Sequence, residues 1–149
     1  MAAVADSSEF FFCGGTLIAS QWVLTAAHCM FKDQDGTQAQ TAAELKIVLG
    51  EHDITTTSES QIPRKVVQVS QIITHPSYSA STSNNNIALL KLSEEVDLNT
   101  YTPSCMPATS DNFEGQKAWV YGNYITDHNV DFANGSAMAI LMAMPITRL

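Results

Sequence analysis

Three observations predict an all-β fold for this 149-residue chain. As far as about Tyr121, short apolar runs alternate with turn residues at the spacing of an antiparallel barrel or sandwich. The composition, 45% hydrophobic and 15% charged, is that of a globular chain, and the length suits one domain with a sizeable core. Pro103 and Pro107 discourage a helix in the long connection that begins near Glu94.

Each element has its own signal. Residues 10–18 are aromatic and apolar with Gly14 and Gly15 among them, which predicts a bent strand where backbones approach closely. Residues 22–25 make a short strand, and AAHC (26–29) suits one helical turn. Residues 31–41, holding Asp33, Asp35 and Gly36, read as a polar loop. Further strands are predicted over 45–49, 64–68, 71–74, 87–92 and 117–121, and residues 94–105 as an extended connection. After Gly122 the composition shifts. The methionine-rich stretch 137–146 reads either as a short helix stopped by Pro145 or as sequence that does not fold.

Charge excludes several classes. A net charge of −8 and a pI near 4.7 argue against nucleic acid and against anionic membrane surfaces. No apolar run approaches a membrane span, and MAAVADSSEF lacks the basic start and apolar core of a signal peptide. The isolated cysteines and histidines show no zinc spacing. Three cysteines, Cys13, Cys29 and Cys105, cannot all pair within the chain. A Cys13–Cys29 loop would be worth about 3 kcal/mol in the chain-entropy account and would imply an oxidising compartment. The count alone is equally compatible with buried thiols.

The chemistry concentrates in two short stretches. TAAHC (25–29) sets His28 beside Cys29, so a bridge to Cys13 would hold a titratable ring on a rigid turn suited to general-base work. A solitary histidine can equally be a structural hydrogen-bonder. NIALLKL (86–92) is a buried-strand pattern with the polar Asn86 at its mouth, preceded by Asn84 and Asn85.

FFCGGTLIASQWVLTAAHC resembles the opening barrel of the trypsin and chymotrypsin-like serine endopeptidases. LGEHDI (49–54), IITHPSY (72–78), NIALLKL and GQKAWVYG (115–122) resemble four further segments of that family, in the right order. The motifs cover about Phe10 to Gly122. The resemblance implies one antiparallel six-stranded barrel over residues 1–122 and a divergent tail over 123–149. It implies His28 as general base and a Cys13–Cys29 bridge beside it. Glu51 and Glu59 flank a segment that resembles a calcium loop, although Ser60 stands where an acid is expected, so the alternative is a solvated acidic loop without cofactor. His52 and His75 carry no catalytic duty in this pattern, and His128 lies in the tail.

The departures from the family are chemical. Asn86 stands at the position of the triad aspartate, whose carboxylate orients the imidazole and stabilises the imidazolium. Neither neighbouring asparagine restores an acid. The nucleophilic serine is expected roughly ninety residues beyond the acid, and no GDSGGP-like stretch occurs in the 149 residues. Ser136, in ANGSA, lacks the following glycines and reads as a loop serine; Asn134 there heads a glycosylation acceptor sequence. Neither an IVGG-like activating start nor a second barrel is expected. Cys105, in SCMP, resembles a cysteine whose distant partner is missing, and is expected free or paired between molecules.

Two functions follow as expectations. One is a truncated protease homologue, inactive alone, that binds protein or peptide partners and self-associates through its exposed inter-barrel face. The other is a serine endopeptidase completed by a second chain or fragment. Both imply a secreted, extracellular protein.

Overall fold

The computed structural model describes residues 1–51 and 62–111. The predicted strand 117–121, the tail from 123, His52, Glu59, Ser60, Asn134 and Ser136 lie outside these residues. Six strands form a closed barrel: β1 (Ala2–Asp6), β2 (Phe11–Ala19), β3 (Trp22–Thr25), β4 (Leu45–Leu49), β5 (Lys65–Thr74) and β6 (Ala88–Leu92). Their order around the barrel is β1-β2-β3-β6-β5-β4, with every neighbouring pair antiparallel. Closure removes the free sheet edges on which a small β protein would otherwise aggregate.

Two strand expectations are corrected. The stretches predicted at 64–68 and 71–74 are one continuous strand, β5, which begins at Lys65 and whose ladder slips at Ser70 between the pairs Val69–Leu92 and Gln71–Lys91. Such a bulge breaks the apolar alternation, so the sequence reads as two strands. Ser70 Oγ is 3.1 Å from the carbonyls of both Lys91 and Leu92, which satisfies the distorted ladder. The sixth strand is β1, whose small residues gave no strand signal. Ala2 and Val4 enter the main core, while Ala3 and Ala5 bury the opposite face with Val48, Phe11 and Val66. Its partners are β2 and β4.

The main core lies inside the barrel, where Val4, Val23, Ile47, Leu49, Leu90 and Leu92 are fully buried. Gly15, in the CGG run, has a packing role. A Cβ there would lie 2.7 Å from Val23 Cγ1 and 3.3 Å from the Leu24 carbonyl, so only glycine lets β2 pass β3 this closely. Gly50 ends β4 at φ +75°, facing the Pro63 carbonyl.

Residues 93–111 hold no helix or strand, in keeping with the expected extended connection. They are pinned to the barrel by Val96 N–H to the Ser20 carbonyl at 2.8 Å, Ser104 N–H to the Leu17 carbonyl at 2.9 Å, and the Tyr101 hydroxyl to the Pro63 carbonyl at 2.8 Å.

Candidate active site

Strand register brings the two informative motifs together. β3 and β6 pair antiparallel with Thr25 opposite Ala88. Three residues after Thr25 comes His28, on the short 3-10 turn Ala27–Met30, and two residues before Ala88 comes Asn86. Both therefore stand at the same rim of the barrel. Thr25, fully buried, donates its hydroxyl to the Gly14 carbonyl at 2.8 Å, which ties β3 to the strand bearing Cys13.

Cys13 and Cys29 form a disulfide with 6.2 Å between their Cα atoms. Ala27, Cys29 and Met30 are buried and anchor the turn, while His28 between them stays half-buried. Phe31 leaves the turn and stacks on Tyr78 with ring centroids 5.6 Å apart; burial pushes the Tyr78 hydroxyl's pKa up. The cluster of Cys13, His28 and Cys29 has its ligand atoms within 4.8 Å of one another, but with the cysteines oxidised it offers no thiolate to a metal.

Asn86 contacts His28 twice over. Its Oδ1 accepts the His28 backbone N–H at 2.8 Å. That bond orients the amide, because a backbone N–H can only donate. The Asn86 Nδ2 then faces His28 Nδ1 at 2.9 Å, closer than Oδ1 at 3.3 Å. An amino group is a donor, so in the neutral ring Nδ1 accepts and this geometry assigns the proton to Nε2. His28 Nε2 lies 3.5 Å from Cys29 Sγ, which completes the ring's contacts as a donor to sulfur. An aspartate in the same place would have only oxygens and would require the proton on Nδ1.

Of the remaining expected residues, His75 follows Thr74 at the same end of the barrel, its backbone N–H on the Ile87 carbonyl at 3.1 Å, while Glu51 and Cys105 make no contact with His28 or Asn86 among the described bonds. Glu51 accepts from Arg64 Nε at 3.0 Å, and Arg64 Nη2 reaches Glu9 Oε2 at 2.6 Å, so the described member of the calcium pair already has a cationic partner. Lys46 stands 3.5 Å from the other Glu9 oxygen. The Arg64 hydrogen bond holds the Glu9 carboxyl below its ordinary range. His75 uses Nδ1 to accept the Ser77 backbone N–H at 3.1 Å, a turn-stabilising contact. Cys105 is exposed and free of a disulfide. Sequence reasoning missed the partnership in which Arg64, just before β5, holds both Glu51, just after β4, and Glu9, in the turn between β1 and β2.

Known proteins resemble the chain over most of its length. The trypsin family's sequence profile matches residues 1–136, beyond both ends of the motif-bearing stretch. Trypsin I-P1 of Gallus gallus is 36% identical over 107 residues, 72% of this chain and 38% of that protein. Trypsin-2 of Salmo salar is 38% identical over 111 residues, 70% of this chain and 42% of its own. Vitamin K-dependent protein C of Rattus norvegicus is 36% identical over 107 residues, 71% of this chain and 21% of that protein. The chain thus spans between about a fifth and two fifths of the length of these relatives. With a closed six-stranded antiparallel barrel, a Cys13–Cys29 bridge and this breadth of match, the chain belongs to the trypsin family.

Proposed function

We propose that this chain is a trypsin-family barrel without general-base chemistry of its own, acting as a protein- or peptide-binding module of an extracellular, oxidising compartment. The observation that carries the reading is the Asn86 amide, oriented by the His28 backbone N–H so that its amino group faces Nδ1. A base must receive a proton on Nε2, yet in this tautomer Nε2 already holds one. In the parent family an acid-to-amide exchange that keeps the geometry costs roughly 10⁴ in turnover, for this reason.

Among the described residues Phe10, Ile73, Leu98 and Met106 are exposed large apolar residues, with Phe10 at 69% and Met106 at 55%, each available as a single contact point for a protein partner. The net charge of −8 disfavours nucleic acid and anionic membrane as partners. The disulfide supports an oxidising location.

A fluorophosphonate serine probe tests this on the intact chain, alone and mixed with a candidate partner chain, beside a His28→Ala variant. No labelling by intact mass is expected. Stoichiometric labelling that His28→Ala abolishes would overturn the reading in favour of a serine endopeptidase, completed by the partner chain if labelling needs the mixture.

A further inference from the structure

We propose that Cys13 is a site of S-thiolation, at which a small monothiol opens the Cys13–Cys29 bridge and Cys29 departs as a thiolate held by His28. The proposal rests on the same ring tautomer as the functional reading above, and carries it to a different chemistry.

The two ring nitrogens of His28 face different groups. Nδ1 faces the Asn86 amino group at 2.9 Å and so carries a lone pair, while Nε2, bearing the proton, points at Cys29 Sγ from 3.5 Å. A disulfide sulfur is a weak acceptor, but a sulfur leaving with the electron pair is a strong one. The Nε2–H is therefore positioned to stabilise negative charge that develops on Cys29 and not on Cys13. With an acid in place of Asn86 the neutral ring would turn a lone pair toward the same sulfur and oppose that charge. The loss of the acid thus converts His28 from a base into a donor aimed at the bridge.

The exchange balances without an external oxidant or reductant. A monothiolate bonds to Cys13 Sγ as the Cys13–Cys29 bond breaks, and the electron pair leaves on Cys29 Sγ. One disulfide is replaced by another, and one thiolate by another. Exposure does not choose between the sulfurs, since both residues are 3% exposed. Stabilisation of the leaving thiolate does, because a better leaving thiol departs faster and a hydrogen bond to a charged group exceeds one to a neutral group. A preference for the Cys13 adduct on the order of tenfold follows.

The experiment uses the full chain with Cys105 first capped by N-ethylmaleimide. It is exposed to 2-mercaptoethanol at pH 8.5, quenched in acid, alkylated, and mapped by peptide mass spectrometry. The expected product carries the mixed disulfide on Cys13 and the alkyl group on Cys29, by about tenfold over the reverse. Asn86→Asp, which retains His28 and both cysteines, should bring the ratio to one or below, and His28→Ala should bring it near one. An even partition in the wild-type chain, or an excess of adduct on Cys29, would overturn the proposal. ¹⁵N chemical shifts of the His28 ring separate the two failures. A proton on Nδ1 in the wild-type chain sinks this proposal and the functional reading together. A proton on Nε2 with an even partition sinks this proposal alone.

Discussion

Asn86 Oδ1 accepts the backbone N–H of His28 at 2.8 Å, and this single bond decides which way the amide presents its amino group to the imidazole. The consequence is testable without any substrate. In the wild-type chain the neutral ring is expected to be protonated on Nε2, and in Asn86→Asp on Nδ1, since a carboxylate can only accept. Ring ¹⁵N shifts measured above the histidine titration range would distinguish the two. The same tautomer in both proteins would mean that Asn86 does not control the ring.

The close passage of β2 over β3 predicts a packing defect. Gly15→Ala would drive a methyl group to 2.7 Å from Val23 Cγ1 and 3.3 Å from the Leu24 carbonyl. The second contact is with ladder backbone, which cannot yield as a side chain does. Overpacking of this kind costs about 1–3 kcal/mol, to be read as a lower midpoint in urea denaturation with little change in slope. An unchanged midpoint would show that the two strands have room to spare.

Much of the barrel was legible because its strands are long enough to repeat an apolar pattern between turn residues. The β3 boundaries follow directly from WVLT, and β6 begins one residue later than the predicted 87–92, at Ala88. β1 was not legible, since AAVAD has little β-branched or aromatic content and is buried on both faces, which erases the alternation. β5 was read as two strands because the bulge at Ser70 shifts the phase of its pattern. At the site, the identity of Asn86 could be read from the motif, but the direction of its amide could not. That direction depends on a backbone N–H fifty-eight positions away in the chain. The Arg64 contacts to Glu51 and Glu9 were hidden for the same reason, being made only once the barrel closes.

Because β1 closes the barrel, its core residues should matter as much as those of the conspicuous strands. Val4 is fully buried and packs in the main core. Val4→Ala removes two methyl groups and leaves a cavity, for a loss of about 2 kcal/mol by equilibrium denaturation. A loss below a few tenths would imply that β1 contributes little to the fold in solution.

The turn before β4 should make stability depend on acid. Glu44 closes a capping box with Thr41, accepting that residue's backbone N–H at 2.8 Å, and it also pairs with Lys32. The Lys32 hydrogen bond, followed by those from Thr41, lowers the Glu44 pKa from an ordinary 4.5 to about 2. A folded-state pKa below the unfolded one means that the contribution is complete above pH 4.5. It is lost as pH falls toward 2. Glu44→Gln should therefore narrow its stability difference from wild type across that window, measured as thermal midpoints at a series of pH values. A constant difference from pH 6 to pH 2 would show that Glu44 is not held ionised.

Arg64 bears on the calcium question. Its guanidinium donates to Glu51 at 3.0 Å and to Glu9 at 2.6 Å, so a divalent cation seeking the Glu51 carboxylate must first displace a fixed internal cation. Each of these contacts is partly exposed and weak singly, but two carboxylates sharing one fork act as a network. The wild-type thermal midpoint should therefore move by no more than about 1 °C between chelator and millimolar calcium. Arg64→Gln leaves Glu9 and Glu51 without that guanidinium, and should melt lower in chelator and regain part of the loss when calcium is added. A wild-type midpoint that rises by several degrees with calcium would mean that the carboxylate leaves Arg64 for the metal, and that the loop binds it as the family resemblance implies.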